Sequence, residues 1–277
     1  MQVNDKQAGR NVAASMAAAT AAVTVAQASA IPALGIIKGM QKIGNLPADK
    51  IEIMHKAAEQ AIKDTGLAAK GVSIEYLKAP QNPKGIKAIF MGPIEQIREG
   101  LNACFVNAKS SAKQLSALNL KGNTIYMPEK GISYAAFHEI GHAMNANLTK
   151  WGTMLQKMRI PGMIAAGLIG LYGAFSSKSK PKDGKNLTTA QKTNNFIRNN
   201  AGKLAFGAMV PMLFEEAMAT IKGNGLAKKL LSPDMFKTVA KGNAVAYMSY
   251  LLSAAGLGLG AWAAVKVKDY LAVKKAA

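Results

Sequence analysis

Phe137-His138-Glu139-Ile140-Gly141-His142-Ala143 holds two of the only three histidines in a chain of 277 residues. They stand four positions apart, with a glutamate directly after the first. On an α-helix, residues i and i+4 share a face, so both imidazoles reach a single ion. Glu139 lies one residue round from His138, where it touches an ion-bound water without ligating the ion. This is the H-E-x-x-H spacing of a zinc-binding helix whose glutamate serves as general base.

The flanking sequence predicts how that helix is presented. Asn123-Thr124-Ile125-Tyr126-Met127-Pro128 reads as a short strand ended by proline, which has no N–H for a ladder. Gly131-Ile132-Ser133 offers a turn and a serine N-cap, and the helix then runs to about Leu148 or Thr149. The strand's edge is expected to hold an extended substrate beside the ion. Gly141 costs the helix about 1 kcal/mol against alanine. That cost is explained if another backbone packs closely against it.

A catalytic zinc needs a third protein ligand and one open position. His55 is a candidate, on an amphipathic helix opened by Leu46-Pro47-Ala48-Asp49 and stopped by Gly66. Glu215 and Glu216 are stronger, as an acidic pair inside an apolar run that begins near Leu204. Carboxylates in such a run are costly unless a cation meets them. Otherwise they form a helix surface balanced by Lys222 and Lys228.

Together these motifs resemble the gluzincin metallopeptidases, especially the membrane-integrated prenyl-protein (CAAX) endopeptidase type. There the third ligand is a downstream glutamate in E-x-x-A-D, or in E-x-x-A-S in related membrane zinc peptidases. Glu216-Ala217-Met218-Ala219-Thr220 fits that frame, whereas Glu215 would put Met218 and Ala219 at its last two places. The resemblance covers residues 120–265. It implies one zinc ion (Zn2+) per chain on His138, His142 and Glu216, with Glu139 as general base in the hydrolysis of a protein or peptide substrate. Thr220 stands where an aspartate often orients a histidine, and a hydroxyl does so more weakly. The oxyanion-stabilising group stays unassigned, because Tyr247 and Tyr250 read equally as interfacial aromatics.

Composition sets the surroundings. The chain carries 35 basic against 15 acidic residues, a net charge of +20, yet 49% of it is hydrophobic. A disordered basic tail does not have that apolar content. A single cysteine, Cys104, excludes an internal disulfide and reads as a small core residue. Ile160–Ser177 and Ala244–Val265 lack charged residues over about 18 and about 22 positions, enough to span a bilayer. Gly162, Ala166 and Gly170 in the first, and Gly256 with Gly260 in the second, suit close helix packing.

Lysines cluster beside these runs: Lys178, Lys180, Lys182 and Lys185, then Lys222, Lys228, Lys229, Lys237 and Lys241, then Lys266, Lys268, Lys274 and Lys275. Such flanks favour an anionic membrane surface. Nucleic acid is not the expected partner, since no recognition motif is present and the lysines do not interleave with aromatics. The setting expected is therefore an integral, membrane-associated protein, its orientation left open by basic flanks on both sides of the second run.

Three parts are expected. Residues 1–44 form an alanine-rich segment, read as a weak membrane helix, a packed helix broken at Pro32 or a signal peptide. Residues 45–158 form a small α/β part carrying the H-E-x-x-H helix, with strands at Val72–Leu77 and Ile86–Met91 and a helix from Pro93 to about Ala103. Residues 159–277 supply the apolar helices, a basic linker over Lys178–Asn200 and the third-ligand helix. More than 70 residues separate His142 from Glu216, an interval an apolar helix and a basic loop fill. The fold class is α+β, mainly α: a zincin-like helix pair, a small sheet and apolar helices. The competing readings are a non-catalytic cationic membrane protein whose histidine pair is incidental or regulatory, and a soluble zinc hydrolase with a glycine-rich helical core.

Overall fold

The computed structural model describes residues 2–28, 43, 46–77, 103–107, 120–129, 133–181 and 186–273. The expected strand at Ile86–Met91 and the helix from Pro93 lie outside them, as do Pro32, Gly131 and Ile132. The fold is mainly α with one small sheet, as the sequence predicts. Its helices are α1 (Gln2–Ala28), α2 (Ala48–Asp64), α3 (Ala136–Leu148), α4 (Lys150–Phe175), α5 (Thr189–Asn199), α6 (Ala201–Leu230) and α7 (Pro233–Val273). Its strands are β1 (Ser73–Leu77), β2 (Cys104–Val106) and β3 (Thr124–Pro128). Contacts divide the chain into two compact units: Gly35–Gln156 with Phe214–Met248, and Met1–Leu34 with Lys157–Leu213 and Ser249–Ala277.

In the first of these units the strands order β1-β3-β2, β3 pairing parallel with β1 and antiparallel with β2. All five residues of β3 are buried. The strand that precedes the H-E-x-x-H helix is therefore the middle of the sheet, so the expected open edge is not there; β1 and β2 are the outer strands. Pro128 closes β3 opposite Leu77, at the end of the ladder where a missing N–H is tolerated. Met54, Leu67, Ile125, Met127, Tyr134, Phe137, Ile140 and Val239 belong to the unit's core, drawn from α2, β3, α3, α7 and the turns that follow α2 and precede α3. Each fully buried side chain of the size of Ile140 or Phe137 contributes about 1.5–3 kcal/mol.

Ser133 is not the N-cap. It opens a 3-10 turn (Ser133–Ala135), and Ala135 is the residue before α3. Its hydroxyl instead meets His55 Nε2 at 3.3 Å, while the His55 ring stacks on Tyr76 with centroids 4.2 Å apart. Burial holds the His55 imidazole below its usual range, against the nearby carboxylates of Glu59 and Glu129. The folded state thus takes up the proton less readily than the unfolded chain. The stability His55 contributes is complete above the unfolded value of about 6.5 and is lost as pH falls towards the lower folded one. Thermal midpoints in detergent should fall more between pH 7.5 and 5.5 in the wild type than in His55→Gln. Equal falls would remove His55 as the cause.

The second unit is helical, and small residues let its backbones approach. A Cβ on Gly162 would stand 2.4 Å from the Ala208 carbonyl oxygen, and one on Gly260 2.7 Å from that of Ala22. Ala166, Ala205, Ala254 and Ala261 fill the interior. Ala18 of α1 packs with Ala174 and Ala264, so the alanine-rich N-terminal stretch is a packed helix over its described residues. Large apolar side chains instead face outward, Ile160, Ile164, Leu168, Leu171 and Phe175 of α4 among them.

Part of the expected linker is a helix. Thr188 Oγ1 accepts from the Gln191 N–H, and Gln191 Oε1 accepts from the Thr188 N–H, a reciprocal cap that starts α5. Arg198 near its end donates to the carbonyls of Gly173 and Ser176 at the close of α4 and pairs with Asp269 at 2.5 Å.

Among the described residues, three helices are long and apolar enough to cross a membrane: Lys150–Phe175, Ala201–Leu230 and Pro233–Ala272. The first and third contain the two runs expected from the sequence. The second carries Glu215 and Glu216 at its middle.

Candidate metal centre

α3 turns His138 and His142 to one side, and α6 meets that side with Glu215, Glu216 and Thr220. The helices touch backbone to backbone. A Cβ on Gly141 would lie 2.1 Å from the Ala219 carbonyl oxygen, and one on Gly223 2.2 Å from that of Phe137. No other residue type fits at either position without moving a helix. The expected reason for Gly141 is met, and α6 is the backbone that requires it.

Three donor atoms converge in this crossing. His142 Nε2 lies 3.0 Å from His138 Nε2, His138 Nε2 lies 3.1 Å from Glu216 Oε2, and His142 Nε2 lies 3.4 Å from the same oxygen. Both histidines are nearly buried and Glu216 is completely so. Of the acidic pair, Glu216 faces both Nε2 atoms. Glu215 Oε1 sits on the opposite edge of the His142 ring, 2.9 Å from Nδ1. His138 Nδ1 faces Thr220 Oγ1 at 3.2 Å. Glu139 joins the two histidines in one group of metal-capable residues, and His142, Glu215 and Glu216 form another, each with donor atoms within 4.8 Å.

The donor set fits a zinc ion. Bonds of about 2.0–2.2 Å in a tetrahedron put neighbouring ligand atoms about 3.3–3.6 Å apart. The observed triangle is only slightly tighter. A carboxylate accepts but does not donate, so the Glu215 contact puts a proton on His142 Nδ1 and turns the Nε2 lone pair inward. Inward-facing lone pairs beside the Glu216 carboxylate require a proton or a cation between them. The electrostatics agree: burial opposes a charged His142, yet Glu216 and Glu215 outweigh it and push the group up to about 10. Without a metal, a proton takes that place.

Glu139 is grouped with the two histidines, with donor atoms within 4.8 Å of one another, and is anchored from the sheet. Its Oε2 accepts the Phe105 backbone N–H of β2 at 2.7 Å. Burial raises its pKa, while His142, His138 and the Phe105 N–H act the other way.

His55 belongs to neither metal-capable group. Tyr250 packs against the cluster that includes Ala254. Two lysines assigned to membrane flanks are used internally: Lys222 Nζ donates to Asn145 Oδ1 at 2.6 Å, and Lys268 Nζ to the Asn11 carbonyl and to Ser15. Cys104 is a half-buried member of β2 packed by Val106 and Tyr126.

Sequence reasoning missed Asn145, Gln156 and Phe105. Asn145 had a signal: it lies seven residues after His138, on the same helical face, and a buried amide there needs a purpose. Phe105 had none, because its contribution is a backbone N–H. Comparison with protein-family models, curated proteins and solved structures finds no match to this chain.

Proposed function

We propose that this chain is a membrane-associated zinc metallopeptidase that holds one zinc ion through His138, His142 and Glu216. The observation that carries the reading is the buried triangle of Nε2, Nε2 and Oε2 atoms with a separate carboxylate beside it. A zinc ion held by His138, His142 and Glu216 would supply a bound water with its pKa lowered towards ~7 and would polarise a carbonyl. Glu139 would accept a proton from that water and return it to the leaving amine. The Phe105 N–H holds Glu139 Oε2 during the transfer, leaving Oε1 to carry the proton. His142 and His138 keep their Nε2 atoms directed inward because Glu215 and Thr220 occupy their Nδ1 edges. Substrates are proteins or peptides. The three long apolar helices and the outward-facing residues of α4 support membrane association, and the exposed Lys178, Lys180, Lys228 and Lys229 suit an anionic surface.

The decisive measurement is metal content of the full chain in detergent, wild type beside Glu216→Ala. About one zinc per wild-type chain is expected, with affinity falling at least about 100-fold in the variant, since two histidines alone do not complete a site. A wild type that holds no zinc after metal-replete preparation would overturn the reading and favour a non-catalytic cationic membrane protein.

A further inference from the structure

Adjacent glutamates on a helix point about 100° apart, so Glu215 and Glu216 reach different atoms of the same histidine. Glu216 meets Nε2 and Glu215 meets Nδ1. That second contact is heavily built. Glu215 Oε1 also accepts from Asn145 Nδ2 at 3.0 Å and from Gln156 Nε2 at 3.1 Å. Asn145 Nδ2 reaches the Glu215 carbonyl at 3.2 Å as well, and Gln156 Nε2 the His142 carbonyl at 2.9 Å. Both amides therefore tie the carboxylate to a backbone. Lysine can only donate, so Lys222 Nζ on Asn145 Oδ1 fixes which end of that amide faces Glu215.

We propose that Glu215 is the positioning carboxylate of the metal centre. It sets the tautomer and the direction of His142 through Oε1, and Asn145, Gln156 and Lys222 hold it in place. This inference rests on the metal-site reading above.

The bland alternative is a buried acid neutralised by whatever lies nearby. Such an acid needs no particular histidine edge. Here the oxygen that faces His142 Nδ1 is the same one to which Asn145 Nδ2 and Gln156 Nε2 donate. Glu215 is also a poor ligand for the same ion, because that oxygen lies across the ring from Nε2. The arrangement departs from a carboxylate four residues after the ligand glutamate, where this chain has Thr220. Thr220 serves His138, and Glu215 serves His142.

The test uses full-length protein in detergent micelles, with zinc affinity read by chelator competition. Imidazole 15N shifts report the tautomers, and only three histidines contribute to the spectrum. Glu215→Gln is expected to weaken zinc about 10–100-fold and to disturb the Nδ1–H form of His142. Asn145→Ala and Lys222→Met should weaken zinc by less. Adding Lys222→Met to Glu215→Gln should cost nothing further, because both act through one oxygen. If Glu215→Gln fails to fold, the Asn145 and Lys222 variants carry the test, and wild-type affinity in both would overturn the proposal. Folded Glu215→Gln with affinity within twofold of wild type and an unchanged His142 tautomer would also overturn it. In that case, zinc lost in His138→Ala and His142→Ala would leave the metal reading standing. Zinc retained in those two variants would remove both.

Discussion

Glu139→Gln is expected to keep its zinc and lose hydrolysis by about 100- to 10,000-fold, the range general acid–base catalysis contributes. The two side chains have the same shape, so an amide oxygen can still accept the Phe105 N–H that Glu139 Oε2 accepts at 2.7 Å. What disappears is a group able to take a proton from water and give it to an amine. Zinc should stay because Glu139 lies outside the triangle of His138, His142 and Glu216. Metal content and turnover must be measured on one preparation, since the two readouts separate the possible roles. Turnover retained would exclude Glu139 as the base. Zinc lost would make it a ligand, in line with its grouping beside the two histidines.

Local periodicity made the centre of this molecule legible. Two histidines four apart on a helix must share a face, and an acidic pair in an apolar run needs a positive partner. The helix bounds followed from the same period, with α3 ending at Leu148 as expected. Gly141 was readable as a close approach, though not what approached it. Tertiary facts were not legible. Nothing in Thr124–Pro128 says that strands lie on both sides of it, so its edge was misplaced. The Thr188–Gln191 cap is masked by its setting, since a basic, polar stretch has the composition of a linker. Ser133 has the right chemistry for a cap, yet His55 draws its hydroxyl elsewhere. The division of labour between Glu215 and Glu216 depends on which edge of one imidazole each reaches, and no sequence pattern encodes that.

Gly141→Ala is expected to reduce zinc affinity at least about tenfold and to lower the thermal midpoint, although alanine is the better helix former by about 1 kcal/mol. The added methyl would sit 2.1 Å from the Ala219 carbonyl oxygen, 2.7 Å from its carbon and 2.8 Å from its Cα. Those are backbone atoms, so no rotamer relieves the overlap. Overpacking of this kind costs about 1–3 kcal/mol, enough to outweigh the propensity gain. The shift also separates the helices that carry the proposed ligands, since Ala219 is three residues from Glu216 and Gly141 adjoins His142. Gly225, on the facing helix α6, supplies the control. Nothing lies within 4 Å of a Cβ built there, so Gly225→Ala should collect the propensity gain without a clash. Measured together, zinc affinity and unfolding midpoint should fall in Gly141→Ala and hold or rise in Gly225→Ala. A Gly141→Ala protein that binds zinc as tightly as wild type would mean the helix crossing does not set the ligand geometry. The convergence of His138, His142 and Glu216 would then need another cause.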